Sequence, residues 1–161
     1  ALSFRVLNPD GALWLLLSGG GASITIADEA MNQGKANLIG NYGEYSGGPT
    51  TEESYLYTRN VLKQAFTSNA SRKAIIIAGG VANFTDVKKT FKGVIQALQE
   101  VASDLRAQNI KVFVRRGGPN EAEGLALMKK FLEQNDLLGS VHGSDILLTD
   151  VVTEALEYVG A

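Results

Sequence analysis

Apolar residues along this chain come in two patterns: short unbroken runs, and longer stretches repeating at helical spacing. Positions 4–7 and 13–17 read as short strands joined by a turn at 8–11, where Asn8, Pro9, Asp10 and Gly11 gather. A helix is predicted from about Ala22 to Asn32, then a strand over 37–42. Thr50 followed by Glu53 is a capping-box signature, and it opens a helix to about Phe66 with Leu56, Val61, Leu62 and Ala65 on one face. Positions 74–78 form a continuous apolar run rich in isoleucine, the mark of a strand buried on both faces. A long helix follows to about Ala107, carried by Val87, Phe91, Val94, Ile95, Leu98, Val101 and Leu105. Thr85 is a natural N-cap for it. The chain continues with a strand over 111–114, a helix over about 121–133, a weak strand at 140–143 and a helix over 149–158.

Strands thus alternate with helices, which argues a single α/β domain over 1–161 with a mostly parallel sheet and helices on both faces. By analogy with domains of this size, the flavodoxin-like strand order 2-1-3-4-5 leads. No linker or second domain is apparent. The sequence becomes strand-like by Phe4, as an excised domain would.

Composition removes several chemistries. The 161 residues suit one domain, and 45% apolar content supports one real core. A net charge of −2 gives no global attraction to nucleic acid or anionic lipid. With no cysteine there are no disulfides, thiolate metal sites or cysteine nucleophile, and a single histidine, His142, precludes a multi-histidine metal site. No apolar run approaches the roughly 20 residues that span a bilayer. The run at 13–17 is too short, and lacks the flanks, for a signal peptide.

Glycine is the anomaly: 18 residues, against three prolines, and in clusters. Gly19-Gly20-Gly21, Gly47-Gly48, Gly79-Gly80 and Gly117-Gly118 each follow a predicted strand and precede a predicted helix. In an open α/β sheet such turns share the carboxyl edge, where ligands bind near the topological switch point. A βα turn often needs glycine merely to turn. Four double-glycine turns on one edge favour an anion site, since helix starts present free N–H groups and positive partial charge. Arg115-Arg116 precedes Gly117-Gly118, and a guanidinium matches a carboxylate or phosphate. Strand alternation sends the two arginines in different directions, one toward the crevice. Asn83, in the stretch from Gly79 to Asp86, suits a hydrogen bond to a carboxylate or hydroxyl. No GxxxxGK(S/T) loop and no dinucleotide fingerprint is present. His142 has no companion motif and reads as structural or exposed. Lys88-Lys89 and Lys129-Lys130 read as solvated helix faces.

Five stretches go further: Gly19-Gly20-Gly21-Ala22-Ser23, Asn41-Tyr42-Gly43-Glu44-Tyr45-Ser46-Gly47, Ala82-Asn83-Phe84-Thr85, Phe91-Lys92-Gly93, and Phe113-Val114-Arg115-Arg116-Gly117-Gly118-Pro119-Asn120. Together they resemble the ATP-citrate lyase family, in its citrate-binding segment related to the carboxy-terminal, CoA-ligase-type domain of the succinyl-CoA synthetase β subunit. The similarity covers nearly the whole chain. The tyrosine-rich and double-arginine motifs are specific to the citrate enzymes, while the bare diglycine turns are shared more widely.

The resemblance implies that Arg116 clamps a citrate carboxylate and that Ser46, Gly47, Gly80, Ala82, Asn83, Phe84 and Thr85 supply the other citrate contacts. It implies a phosphohistidine on a synthetase-α-like part, a separate citrate-synthase-like part and an ATP-grasp domain as partners, in a cytoplasmic enzyme. It implies ATP, Mg2+ and coenzyme A for the parent enzyme, with no cofactor, metal or catalytic residue in this segment, and no nucleic-acid or membrane partner. Alone, the chain is expected to bind citrate without turnover. Two alternatives stand beside this: a succinate-binding succinyl-CoA synthetase β domain, and a flavodoxin-like signalling or binding module. The glycine-ended strands lack the acidic pair and phospho-acceptor aspartate that a receiver module needs.

Overall fold

A computed structural model describes residues 2–18, 22–45, 49–81 and 86–160, without the side chains of 2, 3, 22, 23, 44, 45, 80 and 81. Six strands form one sheet: β1 (Leu2–Val6), β2 (Leu13–Ser18), β3 (Asn41–Tyr45), β4 (Lys73–Val81), β5 (Ile110–Gly117) and β6 (Leu138–His142). Their order is β1-β3-β2-β4-β5-β6, with β1 antiparallel to β3 and every other pairing parallel. With β1 set aside, this is the expected 2-1-3-4-5 order; β1 adds an antiparallel edge.

The helices are α1 (Ala22–Asn32), α2 (Thr51–Thr67), α3 (Val87–Glu100), α4 (Ala102–Ala107), α5 (Glu121–Gln134) and α6 (Leu148–Val159). Period-two alternation sorts the strand residues into two cores. Trp14, Leu16, Ile75, Ile77, Val112 and Val114 pack with α2, α3, α4 and α5. Leu13, Leu15, Leu17, Ile76, Ala78 and Phe113 pack with α1 and α6. Both faces of the central strands are therefore covered, as the isoleucine run predicts. The capping box at α2 is formed: Thr50 Oγ1 accepts from the Glu53 amide at 3.0 Å, and Glu53 Oε1 accepts from the Thr50 amide at 2.9 Å.

Five expectations are corrected. The strand predicted at 37–42 is a 3-10 turn at Ala36–Leu38 followed by β3. There the Asn41 side chain does the work of a backbone ladder: Oδ1 accepts the Leu15 amide at 2.7 Å and Nδ2 donates to the Leu15 carbonyl at 2.9 Å. The helix predicted through 107 breaks at Val101, which leaves helical geometry at φ −126°, ψ 21°. Apolar spacing runs unbroken across that break, because α3 and α4 bury the same side. Leu56 is 51% exposed; it faces away from the side of α2 that buries Tyr57, Val61, Leu62 and Ala65. Asp86, one residue beyond Thr85, caps α3, its Oδ1 accepting from the Lys89 amide. Finally, Gly79-Gly80 and Arg115-Arg116 lie inside β4 and β5 rather than beyond them, with the β4–β5 register shifting between Ala78 and Val81.

Candidate functional site

The carboxyl ends of β2, β3, β4, β5 and β6 meet at one edge because all five run parallel. Chain connectivity reverses between β2 and β4, so their ends mark the switch point, where Ser18 pairs with Gly79. Ser46, Gly47, Ala82, Asn83, Phe84 and Thr85, expected here from sequence, lie outside the described residues. Gly80 falls within β4, and Arg116 near the end of β5.

The two arginines part as strand alternation requires. Arg116 follows Val112 and Val114 onto the α2/α3/α5 face, is only 2% exposed, and donates from Nη1 to the Gly117 carbonyl at 3.1 Å. A Cβ built on Gly79 would stand 3.3 Å from that nitrogen, so the guanidinium lies beside bare backbone at the switch point. Arg115 follows Phe113 onto the α1/α6 face. Its Nε donates to the Ile146 carbonyl at 3.0 Å and its Nη1 to the Gly79 carbonyl at 2.9 Å. Arg115 therefore ties the β6–α6 loop to β4, a linking task that sequence alone did not assign to it.

Below this edge the turns brace one another. Gly118, at φ 138°, and Asn120, at φ 59°, bend the β5–α5 turn. Gly118 tolerates that geometry because it has no Cβ. Asn120 Nδ2 donates to Asp86 Oδ2 at 2.8 Å, and the Val87 amide donates to the Pro119 carbonyl at 3.0 Å. Glu121 accepts the Gly118 and Ser144 amides, both at 3.2 Å. The starts of α3 and α5 and the β6–α6 loop are thus joined by polar links. Glycine-rich turns hinted at such crowding, but the Asp86–Asn120 pairing has no signature in sequence spacing.

The helix starts are less open to an anion than the glycine clusters suggested. Thr50 already takes one α2 amide and Asp86 one α3 amide. Acidic residues also sit in the first turns of α2 and α5. The Lys89 amide, chiefly, holds the Asp86 carboxyl below the usual carboxylate range, and Thr50 does the same for Glu53. Arg115 and Arg116 bring two guanidinia to the end of β5, and Arg116 is the more deeply buried. Among the described residues no group of three or more His, Cys, Asp or Glu could hold a metal ion. His142 pairs with Arg115 in the β5–β6 register, and its Nε2 lies 3.1 Å from both carboxylate oxygens of Glu154. Ser140 also donates to that carboxylate. No helix among the described residues is long and apolar enough to cross a membrane.

The family model for ATP citrate lyase citrate-binding matches residues 1–158. ATP-citrate synthase alpha chain protein 2 of Arabidopsis thaliana is 44% identical over all of this chain, which spans 38% of that protein. ATP-citrate synthase of Homo sapiens is 37% identical over 97% of the chain, which spans 14% of that protein. The ATP citrate lyase of Methanothrix soehngenii, solved in complex with citrate and coenzyme A, superposes with a TM-score of 0.94 at 45% identity, over 98% of this chain and 42% of that one. A dinucleotide-forming acetyl-coenzyme A synthetase from Ca. Korarchaeum cryptofilum, 19% identical with a TM-score of 0.56, shares the fold. With its double-arginine strand, its glycine-ended parallel sheet and these matches, the chain belongs to the ATP citrate lyase citrate-binding family.

Proposed function

We propose that this chain recognises citrate as one part of an ATP-citrate lyase, and that it presents a citrate carboxylate to a phosphohistidine carried by a synthetase-α-like part. Arg116 pairs one carboxylate; Ser46, Gly47, Gly80, Ala82, Asn83, Phe84 and Thr85 complete the contacts. The phosphoryl group passes from histidine nitrogen to a citrate carboxylate oxygen, giving citryl phosphate and free histidine. The coenzyme A thiolate then attacks the acyl carbon, and inorganic phosphate leaves with the bonding electrons. A citrate-synthase-like part cleaves the resulting citryl-CoA to acetyl-CoA and oxaloacetate. ATP and Mg2+ belong, in this reading, to an ATP-grasp part that recharges the histidine.

The observation that carries the reading is a guanidinium almost wholly withdrawn from water at the switch-point edge of a chain in this family. A guanidinium's planar fork matches a carboxylate, and carboxylates are what citrate offers. Calorimetric titration tests it: citrate binds and succinate binds more weakly, while the isolated chain forms no acetyl-CoA from citrate, ATP and coenzyme A. Succinate binding as tightly as citrate would move the reading to the succinyl-CoA synthetase side.

A further inference from the structure

β2 is an apolar run, Leu13 to Leu17, that ends on a hydroxyl. Ser18 is 7% exposed, and its Oγ is shut off from solvent with no hydrogen-bond partner. Native structures leave few polar atoms in that state, because a buried donor left unmade costs its full desolvation. Among the described residues two other buried hydroxyls share it, Ser54 and Thr90, but they sit on α2 and α3. Ser18 alone of the three stands at a strand end, at the switch point.

Its surroundings point to a ligand. Ser18 follows Trp14 and Leu16 onto the face where Arg116 projects, and its register partner on β4 is Gly79. A Cβ on Gly79 would come 2.3 Å from Ser18 Oγ and 3.3 Å from Arg116 Nη1. Hydroxyl and guanidinium therefore border the same patch of bare glycine backbone. A carboxylate offers two oxygens and about four lone-pair sites, enough for both an arginine and a hydroxyl donor.

We propose that Ser18 is a ligand-contact residue whose hydroxyl donates to the carboxylate that Arg116 pairs. This rests on the citrate reading above, and it assigns the unmade hydrogen bond to the ligand-free state. It also inverts the usual relation between affinity and stability: a hydroxyl that strengthens binding weakens the empty protein.

The experiment compares wild type, Ser18→Ala and Arg116→Ala by citrate calorimetry and by ligand-free thermal melting. Ser18→Ala is expected to bind citrate roughly 10- to 100-fold more weakly, the range for a hydrogen bond to a charged group. Its ligand-free melting temperature is expected to equal or exceed that of wild type. Unchanged affinity in Ser18→Ala, with affinity lost in Arg116→Ala, overturns the Ser18 assignment and leaves the citrate reading standing. A lowered ligand-free melting temperature in Ser18→Ala makes the hydroxyl structural and overturns the assignment whatever the affinity. Wild type that fails to bind citrate overturns both.

Discussion

Replacing Arg116 separates what its stem gives the fold from what its charge gives the ligand. At 2% exposure the side chain is almost wholly buried. Arg116→Met keeps an unbranched stem and removes the charge, so the ligand-free variant should stay folded. Arg116→Ala also removes the stem, leaves space beside Gly79, and should melt lower than Arg116→Met. With ligand, the charge is what the assay reads. Truncating one partner of a buried charge pair costs about 2–5 kcal/mol, on the order of 30-fold to several thousandfold in affinity. Citrate at about 100 times its dissociation constant stabilises a binding-competent chain by about 2.7 kcal/mol. At roughly 2–4 °C per kcal/mol, that is a rise of about 5–10 °C in a thermal-shift assay. Both Arg116 variants should lose about two-thirds of the rise or more at that citrate concentration. Arg115→Ala should keep most of it, since its hydrogen bonds go to the Ile146 and Gly79 carbonyls on the opposite face. A full rise in Arg116→Met, or its disappearance in Arg115→Ala, would show that the wrong arginine has been given the carboxylate.

Three further outcomes are expected. Thr50→Ala removes the α2 cap and should lower unfolding free energy by about 1 kcal/mol, read from a denaturant midpoint at unchanged slope. Asp86 has its carboxyl held low by the Lys89 amide and the Asn120 side chain, so its contribution is present above the ordinary aspartate range and lost as pH falls through the depressed value. Urea midpoints measured from about pH 5 to pH 2 should fall less steeply in Asp86→Asn than in wild type; equal slopes would remove Asp86 from the acid response. His142→Ala should leave citrate affinity within about threefold, a change below 1 kcal/mol, because its ring faces Glu154. A tenfold loss with an intact melting curve would bring it into the site.

What the sequence disclosed, it disclosed through repetition and local chemistry. Buried parallel strands announce themselves as unbroken Ile and Leu runs, but the diglycines mark their ends only loosely, since Gly79-Gly80 lies inside β4. Thr50 and Glu53 satisfy each other across one helical turn, so their spacing suffices. Alternation alone places Arg115 and Arg116 on opposite faces. Features set by contact between distant segments escaped. The Asn41 amide stands in for a ladder bond with Leu15, 26 positions away, and no period encodes that. Val101 interrupts a helix whose apolar rhythm continues, because both halves pack on one core. Ser18 lies between the apolar run at 13–17 and three glycines, and nothing in its spacing sets it apart. Its meaning came only from Gly79 and Arg116 on neighbouring strands.

The antiparallel edge has a consequence for motion. Within β3 itself, the register with β2 is Leu17↔Glu44 and Ser18↔Tyr45, joined by the Asn41 amide and, just before β3, by a Leu13↔Ile39 bridge and the Gly40 amide on the Leu13 carbonyl, whereas β1 pairs with β3 from Leu2↔Tyr45 through Val6↔Asn41. β1 and β3 should therefore open together, as a two-stranded leaf beyond that bridge, with Asn41 as one latch. Amides of 2–6 and 41–45 should exchange with deuterium as one cooperative group, faster than those of β4 and β5. Asn41→Ala should speed that group without matching acceleration in the central strands. Because Ser46 directly follows β3 in the chain, citrate bound as proposed should slow the leaf's exchange.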